Sequence, residues 1–152
     1  MALEKEVNEK VYQIIGSCME VHRVLGPGYP TDFYKKALEI ELAEKGLTVE
    51  MNKSLQVMYK DNPVGTQEID FFISGDVVLM IRSQEAIKDT EIQQILRCLV
   101  LTESSIGVLV NFGNVKIQYK RVLPSYREVR KDPYRTAGYR EIGKTREGNP
   151  LV

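Results

Sequence analysis

The sequence predicts an α/β fold, in which a mixed central β-sheet is flanked by helices. Apolar residues recur at three- and four-residue spacing before Gly26 and again after Asp89, and this spacing is typical of amphipathic helices. The run IGVLVNF, which begins at Ile106, is apolar throughout, as in a strand that is buried on both faces and paired in parallel. Strand, helix and buried strand in this order form a right-handed crossover unit.

Three helices are predicted, and their limits come from cap and break residues. The first covers residues 7–25 and ends at the sequence GPG, because glycine and proline both interrupt helices. The second is FYKKALEIELAEK, with Thr31 or Asp32 as its N-cap and a glycine directly after it. The third begins at Asp89 or Thr90, either of which can cap it.

Two strands joined by a short loop are predicted in the stretch VGTQEIDFFISGDVVLMIRS, which bears the candidate site. Alternation along the first strand puts Ile69, Phe71 and Ile73 on one face and Glu68 and Asp70 on the other. The segments SLQVMYK, before this pair, and VKIQYKR, after the apolar run, also alternate and predict two further strands, the latter at the outside of the sheet. The sequence DNP predicts the turn into the pair.

The loop between the paired strands decides which side chains meet. Its glycine favours a three-residue loop, Ser74-Gly75-Asp76, which places Asp70 opposite Met80 and Glu68 opposite Arg82. A two-residue loop would shift the register by one residue and send Arg82 to the other face of the sheet.

Composition narrows the classes of function. The 152 residues include 21 basic and 21 acidic side chains, so no overall positive field favours nucleic acid. The N-terminus MALEKEVNEK does not resemble a signal peptide, and no stretch reaches the ~20 apolar residues of a membrane span. Cys18 and Cys98 fall on apolar helix stripes and are expected to be buried thiols. We therefore expect a soluble, cytoplasmic protein without a membrane partner.

The residues after Leu123 lack the pattern of the rest, which predicts a domain over residues 1–123 and a tail over residues 124–152. The tail is basic, contains few aliphatic residues, and repeats the motif YREV as YREI. Interleaved tyrosine and arginine can stack on bases and bind phosphates, and the alternative is a solvated tail that lies over its own domain or a partner. The basic residues assigned to nucleic-acid binding are Arg127, Arg130, Lys131, Arg135 and Arg140.

Four segments resemble the GxxExxY proteins, a branch of the PD-(D/E)XK nuclease-like superfamily. They are EVHRVLGPGY, FYKKALEIELAEKGL, EIDFFI and GVLVNFG, and they occur in the expected order. The resemblance implies a restriction-endonuclease-like core over the domain. It also implies a metal-dependent nucleic-acid cleavage site, built from an aspartate on one strand, a Glu-x-Lys on the next and a glutamate on a preceding helix. Mg²⁺ suits such carboxylate ligands and activates water.

This chain keeps only part of the set that the resemblance implies. Asp70 matches the aspartate, whereas Met80 and Arg82 stand at the glutamate and lysine positions, and Thr31 stands at the helix glutamate. A thioether has no useful affinity for Mg²⁺, and an arginine stays protonated and repels a cation. We therefore expect no metal here, with Arg82 paired to Asp70 or Glu68 instead.

Four further residues match the family pattern. Gly28 and Tyr34 stand at the ends of the GxxExxY signature, and His22 and Gln94 match polar positions near the cleft. His22 is either a hydrogen-bonded core histidine or a catalytic group. Gln94 either faces the cleft or satisfies a strand backbone group, and Tyr34 is either a packed aromatic or a participant in the chemistry.

Three hypotheses about function follow. We favour a catalytically degenerate nuclease-fold domain without a cofactor, which acts as a binding or scaffold subunit and contacts a protein partner through its tail. The second is a module that keeps a groove for DNA or RNA. The third is an active nuclease that binds Mg²⁺ through relocated carboxylates, Glu68 with Asp70; the further candidates are Asp32, Glu85 and Glu91.

Overall fold

The computed structural model describes residues 2–124, which form three helices around a five-stranded sheet and confirm the predicted α/β class. Within this range, no helix is both long enough and apolar enough to cross a bilayer. The elements are α1 (Ala2–Leu25), α2 (Thr31–Glu44), β1 (Val49–Tyr59), β2 (Asn62–Ile73), β3 (Val77–Arg82), α3 (Asp89–Thr102), β4 (Ile106–Asn111) and β5 (Gln118–Val122).

The sheet is mixed, with the strands in the order β1-β2-β3-β4-β5. Neighbouring strands are antiparallel except β3 and β4, which pair in parallel and are connected through α3. Every residue of β4 is buried, as predicted for the run IGVLVNF. Its neighbour β5 lies at the outside of the sheet, also as predicted.

Each face of the sheet has its own hydrophobic cluster. Helices α1 and α2 cover one face, where the strands contribute Phe71, Ile73, Val77, Leu79, Ile81, Ile106, Val108 and Val110, and Phe112 follows directly after β4. Helix α3 covers the other face in a cluster of Ile69, Phe72, Val78, Met80, Ile95, Cys98, Leu99, Leu109 and Val122.

The prediction that Ile69 shares a face with Phe71 and Ile73 is wrong, since Ile69 packs under α3. The β1–β2 ladder is interrupted between these residues: Met51 pairs with Phe71 and Lys53 with Ile69. Between them Asn52 has a left-handed φ of 55°. The alternation of side chains along β2 therefore changes between Ile69 and Phe71, at the level of Asp70 and opposite Asn52.

The loop between β2 and β3 is the predicted three-residue loop, because Ile73 pairs with Val77. Gly75 there has a φ of 68°, which a residue without a Cβ adopts readily. The ladder ends at the pair Phe71–Leu79, so neither of the predicted pairs, Asp70–Met80 and Glu68–Arg82, is formed.

Three local boundaries differ from the predictions. The N-cap of α2 is Pro30, not Thr31 or Asp32, and Phe33 donates its N–H to the Pro30 carbonyl. The N-cap of α3 is Lys88, one residue before the predicted Asp89 or Thr90. The Glu91 carboxylate accepts the Lys88 N–H, as in a capping box. The turn between β1 and β2 is Lys60-Asp61 rather than the sequence DNP; both residues have positive φ, as in a type I′ hairpin turn.

Candidate functional site

Arg82, the last residue of β3, is the centre of the candidate site. Its Nε donates to Glu91 Oε2 at 2.9 Å, and its Nη1 donates to the Ile81 carbonyl at 2.8 Å and to Asp70 Oδ2 at 3.4 Å. Its Nη2 donates to Gln94 Oε1 at 3.4 Å. The guanidinium, with a side chain 25% exposed, therefore lies between two carboxylates on different elements.

Asp70 lies where β2 and β3 stop pairing. Its Oδ2 accepts the backbone N–H of Ile81 at 2.9 Å, so the carboxylate takes the place of a ladder partner. Lys35 of α2 approaches Oδ1 at 3.6 Å and also donates to Asn52 Oδ1 at 2.6 Å. Asp70 thus receives one backbone N–H and two cationic side chains.

Glu91 is the second carboxylate of the site, and its side chain is only 11% exposed. Its Oε1 accepts the N–H of Lys88 at 2.9 Å, and Gln84 Nε2 donates to Oε1 at 2.8 Å and to Oε2 at 3.0 Å. With the bond from Arg82, both oxygens are fully used. The sequence analysis names Glu91 as one further candidate for a relocated carboxylate ligand. Its place in the first turn of α3 brings its side chain to Arg82.

The other predicted ligand positions do not add an anion to the site. Met80 is 3% exposed and packs in the α3 cluster, and Thr31 is the first residue of α2. Glu68, Asp32 and Glu85 are exposed.

The residues at the site do not fit a hard divalent ion. Mg²⁺ demands several oxygen ligands in octahedral geometry, yet one oxygen of Asp70 (Oδ2) and one of Glu91 (Oε2) already accept hydrogen bonds from Arg82. Lys35 adds a second positive charge beside Asp70. Among residues 2–124, no three His, Cys, Asp or Glu side chains are grouped as metal ligands.

A family comparison agrees with this architecture. The model of the PD-(D/E)XK nuclease superfamily matches residues 8–122. The chain belongs to this superfamily. No curated protein and no solved structure matches the chain. The mixed sheet flanked by helices is consistent with the superfamily's restriction-endonuclease-like core.

Tyr34 belongs to the hydrophobic cluster under α1 and α2 of this superfamily domain, and His22 lies against Phe112 of the same cluster. His22 Nε2 lies 2.8 Å from the carbonyl oxygen of Asn114, and its ring is tilted against Phe112. Tyr34 is fully buried, stacks on Phe112 at 4.6 Å and donates its hydroxyl hydrogen to the Gly26 carbonyl. Both side chains anchor loops to the core.

Sequence reasoning missed Lys35 and Gln84, which have no signal in the primary structure. Asn111 is different, because its sequence position carries a signal: it is the one polar side chain at the end of the apolar run of β4. Fully buried, its side chain accepts the Gln84 N–H and donates to the Gln84 carbonyl, both at 2.9 Å. This pair of bonds fixes the segment that follows Arg82.

Cys98 lies near the site but has no reactive character. Burial, together with the negative charge of Asp70, raises the pKa of its thiol to about 12. Cys18, in α1, is also a free, buried thiol. The predicted nucleic-acid-binding residues Arg127, Arg130, Lys131, Arg135 and Arg140 lie outside the described residues, as does the predicted tail from residue 125 onward.

Proposed function

We propose that this PD-(D/E)XK superfamily domain belongs to the GxxExxY branch and is catalytically degenerate, acting in the cytoplasm as a binding or scaffold subunit. One observation carries the proposal: the Arg82 guanidinium donates to both Asp70 and Glu91. In this arrangement an internal cation takes the place that a metal would need. The domain then requires no cofactor.

Electrostatics supports this reading. A divalent ion ~4 Å from a guanidinium is repelled by several kcal/mol at an effective dielectric constant of about 20. Arginine cannot relieve the repulsion by losing its proton. For a metal to bind Asp70 and Glu91, Arg82 would have to leave, and its bonds to both carboxylates and to the Ile81 carbonyl would break.

An active metal-dependent nuclease with relocated carboxylates is the second candidate. The observation that favours it is that Asp70 and Glu91 converge on one point, the guanidinium of Arg82. Glu91 replaces Glu68 as the better-placed second carboxylate, since Glu68 is exposed. Arg82 would then have to move away when the metal and the nucleic acid bind.

Binding of Mn²⁺, followed by electron paramagnetic resonance, tests the proposal. We expect the wild-type protein to bind no Mn²⁺ and to leave DNA and RNA uncut. The double variant Met80→Glu/Arg82→Lys, which restores the Glu-x-Lys pattern, should gain Mn²⁺ binding. The matched control Met80→Gln/Arg82→Lys should not, because glutamine has the same shape without the charge. Wild-type binding or cleavage that is lost in Asp70→Asn would establish the second candidate instead.

Two kinds of partner are compatible with a binding subunit, and they are distinguished by separate measurements. DNA or RNA binding that weakens steeply with salt would identify a nucleic-acid groove, because phosphate contacts release counterions. A protein partner that co-purifies in stoichiometric amount, and is lost when residues after Pro124 are removed, would identify the tail as a scaffold contact.

A further inference from the structure

Two aromatic rings form an exposed stack between α1 and α2. Tyr29 and Phe33 lie with their ring centroids 5.2 Å apart and their planes 19° from parallel. Tyr29 is 43% exposed and Phe33 is 53% exposed. These two large exposed rings lie outside both hydrophobic clusters of the described residues, and the pair is called here the aromatic platform.

The Tyr29 half of the aromatic platform is tied to its surroundings on both sides. The Tyr29 N–H donates to the Tyr34 hydroxyl at 3.2 Å, and the Tyr29 carbonyl accepts a hydrogen bond from Ser83 Oγ at 2.8 Å. The ring of Tyr29 also meets the edge of the buried Tyr34 ring. Because ordering costs are already met in the free protein, a flat ligand can stack there with little loss of entropy.

The chemistry around the platform favours a nucleotide. Lys36 follows Phe33 by three residues on α2, so the two side chains are neighbours on the helix surface. Lys36 is exposed and takes part in none of the ion pairs formed within residues 2–124. Ser83, the residue after Arg82, donates its hydroxyl hydrogen to the Tyr29 carbonyl and so connects the platform to the end of β3. An exposed ring with a lysine three residues further along the same helix surface suits a base and its phosphate together.

We propose that the aromatic platform binds an unpaired nucleobase of a single-stranded nucleic acid, with Lys36 at the adjacent phosphate. This inference rests on the proposed function and names its partner. A duplex keeps its bases stacked on each other and offers no free face to Phe33. Binding through stacking requires no metal and little sequence preference, since every base has a π-face.

Fluorescence anisotropy with labelled oligothymidine and oligouridine, in excess EDTA, tests the inference. The full-length protein should bind the strands and prefer them over an abasic strand of the same length. Phe33→Ala should raise the Kd for the base-bearing strand by about tenfold and abolish the preference, because one stacked base is lost. Tyr12→Ala, which removes a ring that is 76% exposed on α1, is the matched control and should bind like wild type.

Two further variants separate stacking from charge and from misfolding. Phe33→Trp keeps a ring and introduces a tryptophan into a chain that has none, so its fluorescence should be quenched when oligothymidine binds. Lys36→Gln should lower the salt dependence of binding while the preference over the abasic strand persists. Equal affinity of wild type for base-bearing and abasic strands, or no binding of either, overturns the inference. Mn²⁺ binding would overturn the proposed function but leave this measurement intact.

Discussion

Arg82 donates hydrogen bonds to both carboxylates of the candidate site, Asp70 and Glu91. Replacement by methionine, which keeps the length of the stem, would leave Glu91 and Asp70 with side chains 11% and 18% exposed and without their guanidinium. Removing one partner of a buried pair costs about 3–5 kcal/mol. Lys35 and Gln84 remain in contact and the site is partly solvated, so we expect Arg82→Met to lower the free energy of unfolding by about 2 kcal/mol. Urea denaturation measures this change.

A second arginine provides the control for that measurement. Arg23 also donates to a carboxylate, that of Glu20, but the two side chains are 71% and 41% exposed. Solvent screens such a pair, so Arg23→Met should leave the urea midpoint unchanged. If both variants lost the same stability, Arg82 would be no more than a surface residue and the electrostatic argument about the metal would fail.

At the scale of elements, the segment between β3 and α3 is fixed by the loop that leaves β4. A Cβ on Gly113 would overlap the backbone nitrogen and carbonyl oxygen of Gln84, and backbone atoms cannot move aside as a flexible side chain can. Gly113→Ala should therefore displace Gln84 from Asn111 and Glu91, and we expect a loss of about 2 kcal/mol or more in the free energy of unfolding. Thermal or urea unfolding measures it.

A glycine with open space around it should respond in the opposite way, so that substitution by alanine raises the free energy of unfolding. Gly16 lies inside α1, and a Cβ there would meet no atom within 4 Å. Alanine has a higher helix propensity than glycine, so Gly16→Ala should stabilise the protein by about 0.5–1 kcal/mol. A neutral Gly113→Ala would mean that the contact between Gly113 and Gln84 does not constrain the segment after Arg82.

The elements were more predictable than their contacts. Periodicity located α1, α3 and β4 because each packs a continuous apolar face, and Gly75 located the three-residue loop because few residues accept its φ. The interruption at Asn52 had no sequence signal of comparable strength. As a result, the side of the sheet on which Ile69 packs could not be predicted from alternation alone.

The site was predictable in its types of residue but not in its pairing. The absence of two acids, at Met80 and Thr31, is visible in the sequence, and so is the cation at Arg82. That Arg82 meets Glu91 depends on how α3 packs on the sheet, and that Lys35 meets Asp70 depends on where α2 lies. Both are tertiary distances, which no local spacing encodes.

At the scale of the whole molecule, the site occupies the edge of the sheet where the parallel strands end. Arg82 ends β3, and Asn111, which holds Gln84, ends the neighbouring β4. In α/β sheets, ligands bind outside the carboxyl ends of parallel strands, because loops of independent sequence meet there. The aromatic platform reaches the same edge through Ser83. The Arg82 site and the proposed base-binding surface therefore lie at the same end of the sheet.

The domain boundary predicted near residue 123 is a property of the whole chain and can be tested by truncation. The described residues, 2–124, contain two hydrophobic clusters and a five-stranded sheet of their own. We expect a chain that ends at Pro124 to unfold in urea with the same midpoint and the same m-value as the full-length protein. The m-value is the sharper readout, because it scales with the surface exposed on unfolding. A smaller m-value together with a lower midpoint after truncation would show that the last residues bury surface on the domain, and the boundary would then be wrong.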